Sequence, residues 1–136
     1  VSIHYESTYQ VQRALDWLEP FGCKRFLAIS PATPVNVLEE VLDYIDGINL
    51  LMVNPGFAGQ HMVLSTLRKA AKVQSLLERE HREEILMEVD GNITPEHGKT
   101  LRSLGASLFV GGTSSIFKGD LSQYRENIRL FRESIV

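Results

Sequence analysis

The sequence predicts an α/β fold built on a parallel sheet, and three observations carry that expectation. Short apolar runs recur along the chain, and with Ile3, Phe26, Asn49, Leu86 and Leu108 as markers their spacings are 23, 23, 37 and 22 residues. The runs are nearly continuous rather than alternating, as in parallel strands covered on both faces. Each run is followed by a stretch with helical periodicity, so the chain reads as five βα units.

The first strand is expected at Val1–Glu6. Gln10–Leu18 then places Val11, Ala14, Leu15 and Leu18 on one helical side, and Gly22 ends that helix. Arg25–Ser30 is the second strand. Thr33 suits an N-cap and Pro34 a first helical residue, because a missing N–H is harmless there, so Val35–Tyr44 is expected as a helix. Ile48–Val53 is the third strand, followed by the breaker-rich Asn54–Gln60. Ser65–Glu80 forms a helix with Leu67, Ala70, Ala71, Leu76 and Leu77 on its apolar face. Glu84–Asp90 is the fourth strand and Gly91-Asn92-Ile93 a turn. Thr94-Pro95 repeats the cap-and-proline device for a helix through Leu104, with Gly105 as its C′ residue. Ser107–Val110 is the last strand, Gly111–Gly119 a loop and Leu121–Ser134 the final helix.

A doubly wound sheet and a (β/α)₈ TIM barrel both accommodate this order. The barrel is favoured because the unusual residues (His4 and Glu6, Asn54 to Gln60, Asp90 to Asn92, Gly111 to Ser115) fall just after strands. In such barrels that end of every strand faces the active site. Five strands do not close a barrel, since closure ties strand number to tilt and stagger. The chain also opens on Val1-Ser2-Ile3, which reads as the interior of a strand. Residues 1–136 are therefore expected to form the C-terminal portion of a single barrel domain, with the ring completed elsewhere. Open edges and an apolar inner face favour pairing, so a homo-oligomer is expected.

Composition narrows the function. The chain is 43% apolar and 23% charged, as in a globular domain with a core. A net charge of −3 gives no field that would gather nucleic acid or anionic lipid, and no apolar run is long enough to span a bilayer. Cys23 is the single cysteine, which excludes an intrachain disulfide. Nothing resembles a secretory signal, and a cytoplasmic location is expected.

Three glycine-bearing loops carry the chemistry. Gly56-Phe57-Ala58-Gly59, Gly91-Asn92 and Gly111-Gly112-Thr113-Ser114 follow three consecutive strands. Glycine lets a backbone approach a ligand with its N–H groups outward, and such clusters bind phosphate, here with the Thr113 and Ser114 hydroxyls as further donors. The competing reading is that the glycines merely make tight turns. Asp90 ends an apolar strand just before Gly91. A partly desolvated carboxylate there suits a metal ligand or a general base, or else a helix cap or rim ion pair. His4, His61, His81 and His97 have no metal-ligand spacing, though His4 lies at a strand end where it would line a pocket. No G-x-S-x-G elbow is present.

Several stretches resemble the ribulose-phosphate 3-epimerase family: Ile3-His4-Tyr5-Glu6, Gly22-Cys23-Lys24, Ser30-Pro31-Ala32-Thr33-Pro34, Asn54-Pro55-Gly56-Phe57-Ala58-Gly59-Gln60, Glu88-Val89-Asp90-Gly91 and Gly105-Ala106. The resemblance implies a TIM barrel of which this chain holds strands four to eight. It implies inversion at C3 of a ketose phosphate, of the D-ribulose 5-phosphate to D-xylulose 5-phosphate type. Two aspartates would exchange protons through an enediolate that one divalent metal ion (zinc, manganese or iron) stabilises. By that resemblance Asp90 is both catalytic and a metal ligand. Gly56, Phe57, Ala58, Gly59, Gly91, Asn92, Gly112, Thr113 and Ser114 hold the sugar phosphate. The remaining metal ligands and the second aspartate belong to strands absent from the chain, so the fragment alone should be inactive.

There are departures from the family pattern. Asn92 replaces a usual glycine, Leu51 a methionine and Ser30 an asparagine. The segment Gly112-Thr113-Ser114-Ser115-Ile116-Phe117 is one residue longer than is usual and resembles D-allulose-6-phosphate 3-epimerases. A hexulose phosphate is therefore an alternative substrate, and a phosphate-binding relative without catalysis is a second alternative.

Overall fold

The computed structural model describes all 136 residues. Five strands, β1 (Ser2–His4), β2 (Phe26–Ile29), β3 (Gly47–Leu51), β4 (Leu86–Asp90) and β5 (Leu108–Phe109), form one sheet in chain order. Every neighbouring pair is parallel. A doubly wound sheet reverses its strand order at a switch point. This sheet never does.

The register sorts the strand residues into two faces. Leu27, Ile48 and Met87 form one cross-strand row, and Ile29, Leu50 and Val89 the next. All six are at most 2% exposed. They belong to a single apolar core with Leu15 of α1 (Val11–Asp16), Val73 of α2 (Ser65–Arg79), Leu101 of α3 (Pro95–Ser103) and Phe131 of α4 (Tyr124–Ser134). All four α-helices thus lie on one side of the sheet. One core on one face, with strands in sequential order, is the wall of a barrel rather than the middle layer of a three-layer sandwich.

The expectation of strands buried on both faces holds for β3, all five of whose residues are buried, and for β2 beyond Phe26. Along β4 the pattern alternates, and Leu86 and Leu108 are each 37% exposed on the inner face. A five-strand arc places nothing opposite that face, so only the centre of the curve shields itself. Part of that shielding is Phe26, whose ring lies where a Cβ on Gly47 would stand, 2.2 Å from the nearest ring carbon.

Two identical sequence signals have different outcomes. Thr94 caps α3 as expected, accepting a hydrogen bond from the His97 N–H at 3.2 Å, with Pro95 in the first turn. Thr33 does not cap a helix. Its hydroxyl donates instead to the Glu6 carboxylate, which also accepts from the Ser30 N–H at 3.0 Å. The following segment Val35–Tyr44 begins after an extended Pro34 without a side-chain cap and is a 3₁₀-helix rather than an α-helix. Its β-branched Val35, Val37 and Val41 add to the disfavour of α geometry. Gly105, at φ +93°, follows α3 as a left-handed terminator should.

The Ser30–Thr33 loop is held from both sides. Lys69 of α2 is only 9% exposed, and its ammonium donates to the Ser30, Pro31 and Thr33 carbonyls at 2.7, 2.7 and 2.6 Å. Three donors meet three acceptors, which makes burial of this lysine tolerable. No helix in the chain is long and apolar enough to cross a membrane.

Candidate functional site

At the carboxyl ends of β3, β4 and β5 the three glycine loops enclose a cleft of about 360 Å³. Of the residues singled out in the sequence, Phe57, Ala58, Gly59, Asp90, Gly91, Asn92, Gly112, Thr113 and Ser114 all line it. Gly56 does not. It sits at φ +149° with nothing within 4 Å of where a Cβ would be. His4 lies outside the cleft as well, exposed at the end of β1 with Nδ1 3.9 Å from Glu6.

The remaining glycines separate the two readings of the loops. Gly91 is required sterically: its φ is +113° and a Cβ would stand 2.7 Å from Cγ2 of Val53. The β4 loop can therefore approach the end of β3, and the bond from the Met52 N–H to the Asp90 carbonyl at 2.7 Å continues the pairing beyond β3. Gly112 is different. Its φ is unexceptional and a Cβ there would meet nothing within 4 Å. Neither backbone nor packing demands a glycine, and the space it leaves belongs to the cleft.

Several backbone donors of the cleft are unspent. The Gly112 carbonyl accepts from the N–H groups of Ser115, Ile116 and Phe117 at 3.2, 2.9 and 3.1 Å, closing the β5 loop on itself. The N–H groups of Gly91, Asn92, Gly112, Thr113 and Ser114 donate to no protein group. No lysine, arginine or histidine lines the cleft. Any affinity for an anion would have to come from oriented neutral donors, as in other backbone anion sites.

Asp90 stands at the edge of this cradle, half-buried. Burial raises its carboxyl above the usual 3.8. Glu88, two residues earlier on the same face of β4, is raised as well, by burial first and then by the Asp90 charge. No three His, Cys, Asp or Glu side chains converge anywhere in the chain. Asp90 can offer one ligand to a metal ion, but these residues do not make a metal centre by themselves.

Asn92 is the most heavily tied residue of the site. Its φ is +53°, in the left-handed region. Its Oδ1 accepts from the Met62 N–H at 3.1 Å and its Nδ2 donates to Ser114 Oγ at 2.9 Å. Its carbonyl accepts from the Thr94 N–H at 3.1 Å and meets His97 Nδ1 at 2.8 Å. A carbonyl only accepts, so His97 carries its proton on Nδ1. Asn92 was expected among the ligand-contacting residues; both polar atoms of its side chain bond neighbouring loops, and its backbone N–H is unpaired.

Val53, Gln60, Ile93, Val110 and Phe117 also line the cleft and were not singled out. Gln60 stands in the quoted Asn54–Gln60 motif, where its Nε2 donates to the Asn54 and Phe57 carbonyls at 2.7 and 2.9 Å and closes the loop. The apolar four carry no sequence signal that separates a cleft wall from a core position.

Residues 1–117 match the sequence profile described as the ribulose-phosphate 3 epimerase family. A ribulose-phosphate 3-epimerase of Buchnera aphidicola subsp. Baizongia pistaciae is 41% identical over 133 residues, 98% of this chain and 57% of that protein. That of Serratia marcescens is 39% identical over 117 residues, 86% of this chain and 55% of that protein. That of Bacillus subtilis is 32% identical over 129 residues, covering 95% and 59%. The chain spans a little over half the length of these curated relatives. With the barrel-wall sheet and the match across most of its length, the chain belongs to the ribulose-phosphate 3-epimerase family.

Proposed function

We propose that this chain supplies the phosphate cradle and one acid/base group of a ketose-phosphate 3-epimerase, of the D-ribulose 5-phosphate to D-xylulose 5-phosphate type. The observation that carries the reading is the half-buried Asp90 carboxyl on the wall of a cleft where the amides of Gly91, Asn92, Gly112, Thr113 and Ser114 are unpaired and the walls carry no cation. The relatives' names point to the same reaction.

Inversion at C3 requires removing a proton α to a carbonyl and returning one to the opposite face of the planar enediolate. Each face therefore needs its own acid/base. Asp90 serves one face. Burial makes it a stronger base than a free aspartate and lets it hold the proton it has taken. The cradle fixes the phosphate and so aligns the carbon skeleton with Asp90, which replaces a chance encounter by a set geometry. The second acid/base comes from the rest of the whole protein. The family resemblance implies a divalent metal ion. With Asp90 as the one ligating carboxylate on the cleft wall, that ion would take its other ligands from outside this chain.

The test is exchange of the C3 proton of a ketose phosphate with deuterated solvent, followed by NMR in the whole protein. Asp90→Asn should slow exchange by about 10²–10⁴-fold. Affinity for inorganic phosphate should remain near the wild-type value. Exchange at the wild-type rate in the variant would sink the role of Asp90, and no exchange in the wild type would sink the catalytic reading altogether.

A further inference from the structure

Because a backbone N–H can only donate, the Met62 amide fixes which way round the Asn92 side chain sits: the oxygen faces Met62 and the NH₂ faces Ser114. Ser114 Oγ must then accept from Asn92. A hydroxyl has one proton to give, and the Ser114 proton goes to no group of the protein. Ser114 lines the cleft, so that proton is available there.

We infer that Asn92 is a positioning residue for the bound phosphoryl group: by donating to Ser114 it commits the Ser114 hydroxyl to act as a donor into the cleft. The inference rests on the reading of the cleft as a phosphate cradle. The absence of any lysine, arginine or histidine from its walls is what gives one hydroxyl weight. A serine free to rotate can spend its proton on any neighbouring acceptor. A serine that accepts from Asn92 cannot point its proton back at that NH₂, which leaves the proton to the cleft side. The same three-way tie joins the β3 loop at Met62, the β4 loop at Asn92 and the β5 loop at Ser114, so the donors of three loops keep one arrangement. The left-handed backbone of Asn92, braced by Thr94 and His97 at its carbonyl, aims the side chain across the loops.

The experiment is a double-mutant cycle read as the dissociation constant of inorganic phosphate, by calorimetry on the whole protein. In the wild-type background Ser114→Ala should weaken binding about tenfold, as loss of a donor to a charged group does. Asn92→Gly keeps the left-handed backbone available. In that background Ser114→Ala should weaken binding less than about threefold, because the hydroxyl is no longer directed. Asn92→Asp provides a second, nearly isosteric background. There Ser114 donates to the new carboxylate, and its removal should cost no affinity, the added charge cancelling within the cycle. Ser114→Thr, which keeps the hydroxyl, should retain binding. An equal penalty for Ser114→Ala in all three backgrounds overturns the inference while leaving the cradle reading intact. A wild-type protein that binds no phosphate overturns both.

Discussion

At the rim, the burial that would suit the Asp90 carboxyl to proton transfer is structurally unfavourable. Burial raises its folded value above 3.8, so the folded chain holds the proton more tightly than the unfolded chain does. Below the unfolded value both states are protonated and nothing is lost. As pH rises through the folded value the carboxylate ionises where water is scarce, and stability falls. Asp90→Asn should therefore be more stable than the wild type near neutral pH and no more stable below pH 3.8, measured as the urea midpoint at each pH. Equal midpoints at neutral pH would show that the site does not penalise the charge. Asp90 was legible in the sequence as a polar residue ending an apolar strand. The side-chain contacts of Asn92 were not, because nothing in its neighbours foretells that Met62 and Ser114, 30 and 22 residues away, come to its two ends.

Between elements, the contrast of Thr33-Pro34 with Thr94-Pro95 shows how far a local signal reaches. Both read as cap and first turn. Only Thr94 caps, because Glu6 arrives beside Thr33 and takes its hydroxyl. Burial pushes the Glu6 carboxyl up, but the hydrogen bonds from Thr33 and Ser30 outweigh it and hold the group below its ordinary 4.5. On the other side of the loop, Lys69 ties α2 to three carbonyls. Lys69→Met preserves most of the stem and removes all three donors. It should lower stability by about 2–4 kcal/mol, since the part-buried Pro31 and Thr33 carbonyls are left unpaired while Ser30 keeps only the Thr33 N–H. A denaturant midpoint unchanged from the wild type would mean that water replaces the ammonium. The α2 helix was legible from its period, whereas nothing in the sequence singled out the lysine on its buried side.

Over the whole molecule, the sheet ends at β1 and β5 with each strand paired on one side only. The inner face leaves Leu86 and Leu108 each 37% exposed, and Asn49, beside Glu88 in the register, has a buried Oδ1 with no partner. Open edges and an uncovered apolar face favour association. The 136-residue chain on its own should therefore sediment as concentration-dependent oligomers. A monodisperse monomer across a wide concentration range would contradict this. By itself the sequence determined the five βα units, their parallel sense and the three loops that meet at the site, because period, breakers and strand-end polarity are local properties of the chain. Only the tertiary structure decided that the strands run in sequential order with one core on one face, that Gly56 stays outside the cleft, and that Asn92 ties its side chain to two neighbouring loops. Those outcomes depend on which distant residue reaches a hydrogen-bonding group first, and no window of sequence contains that competition.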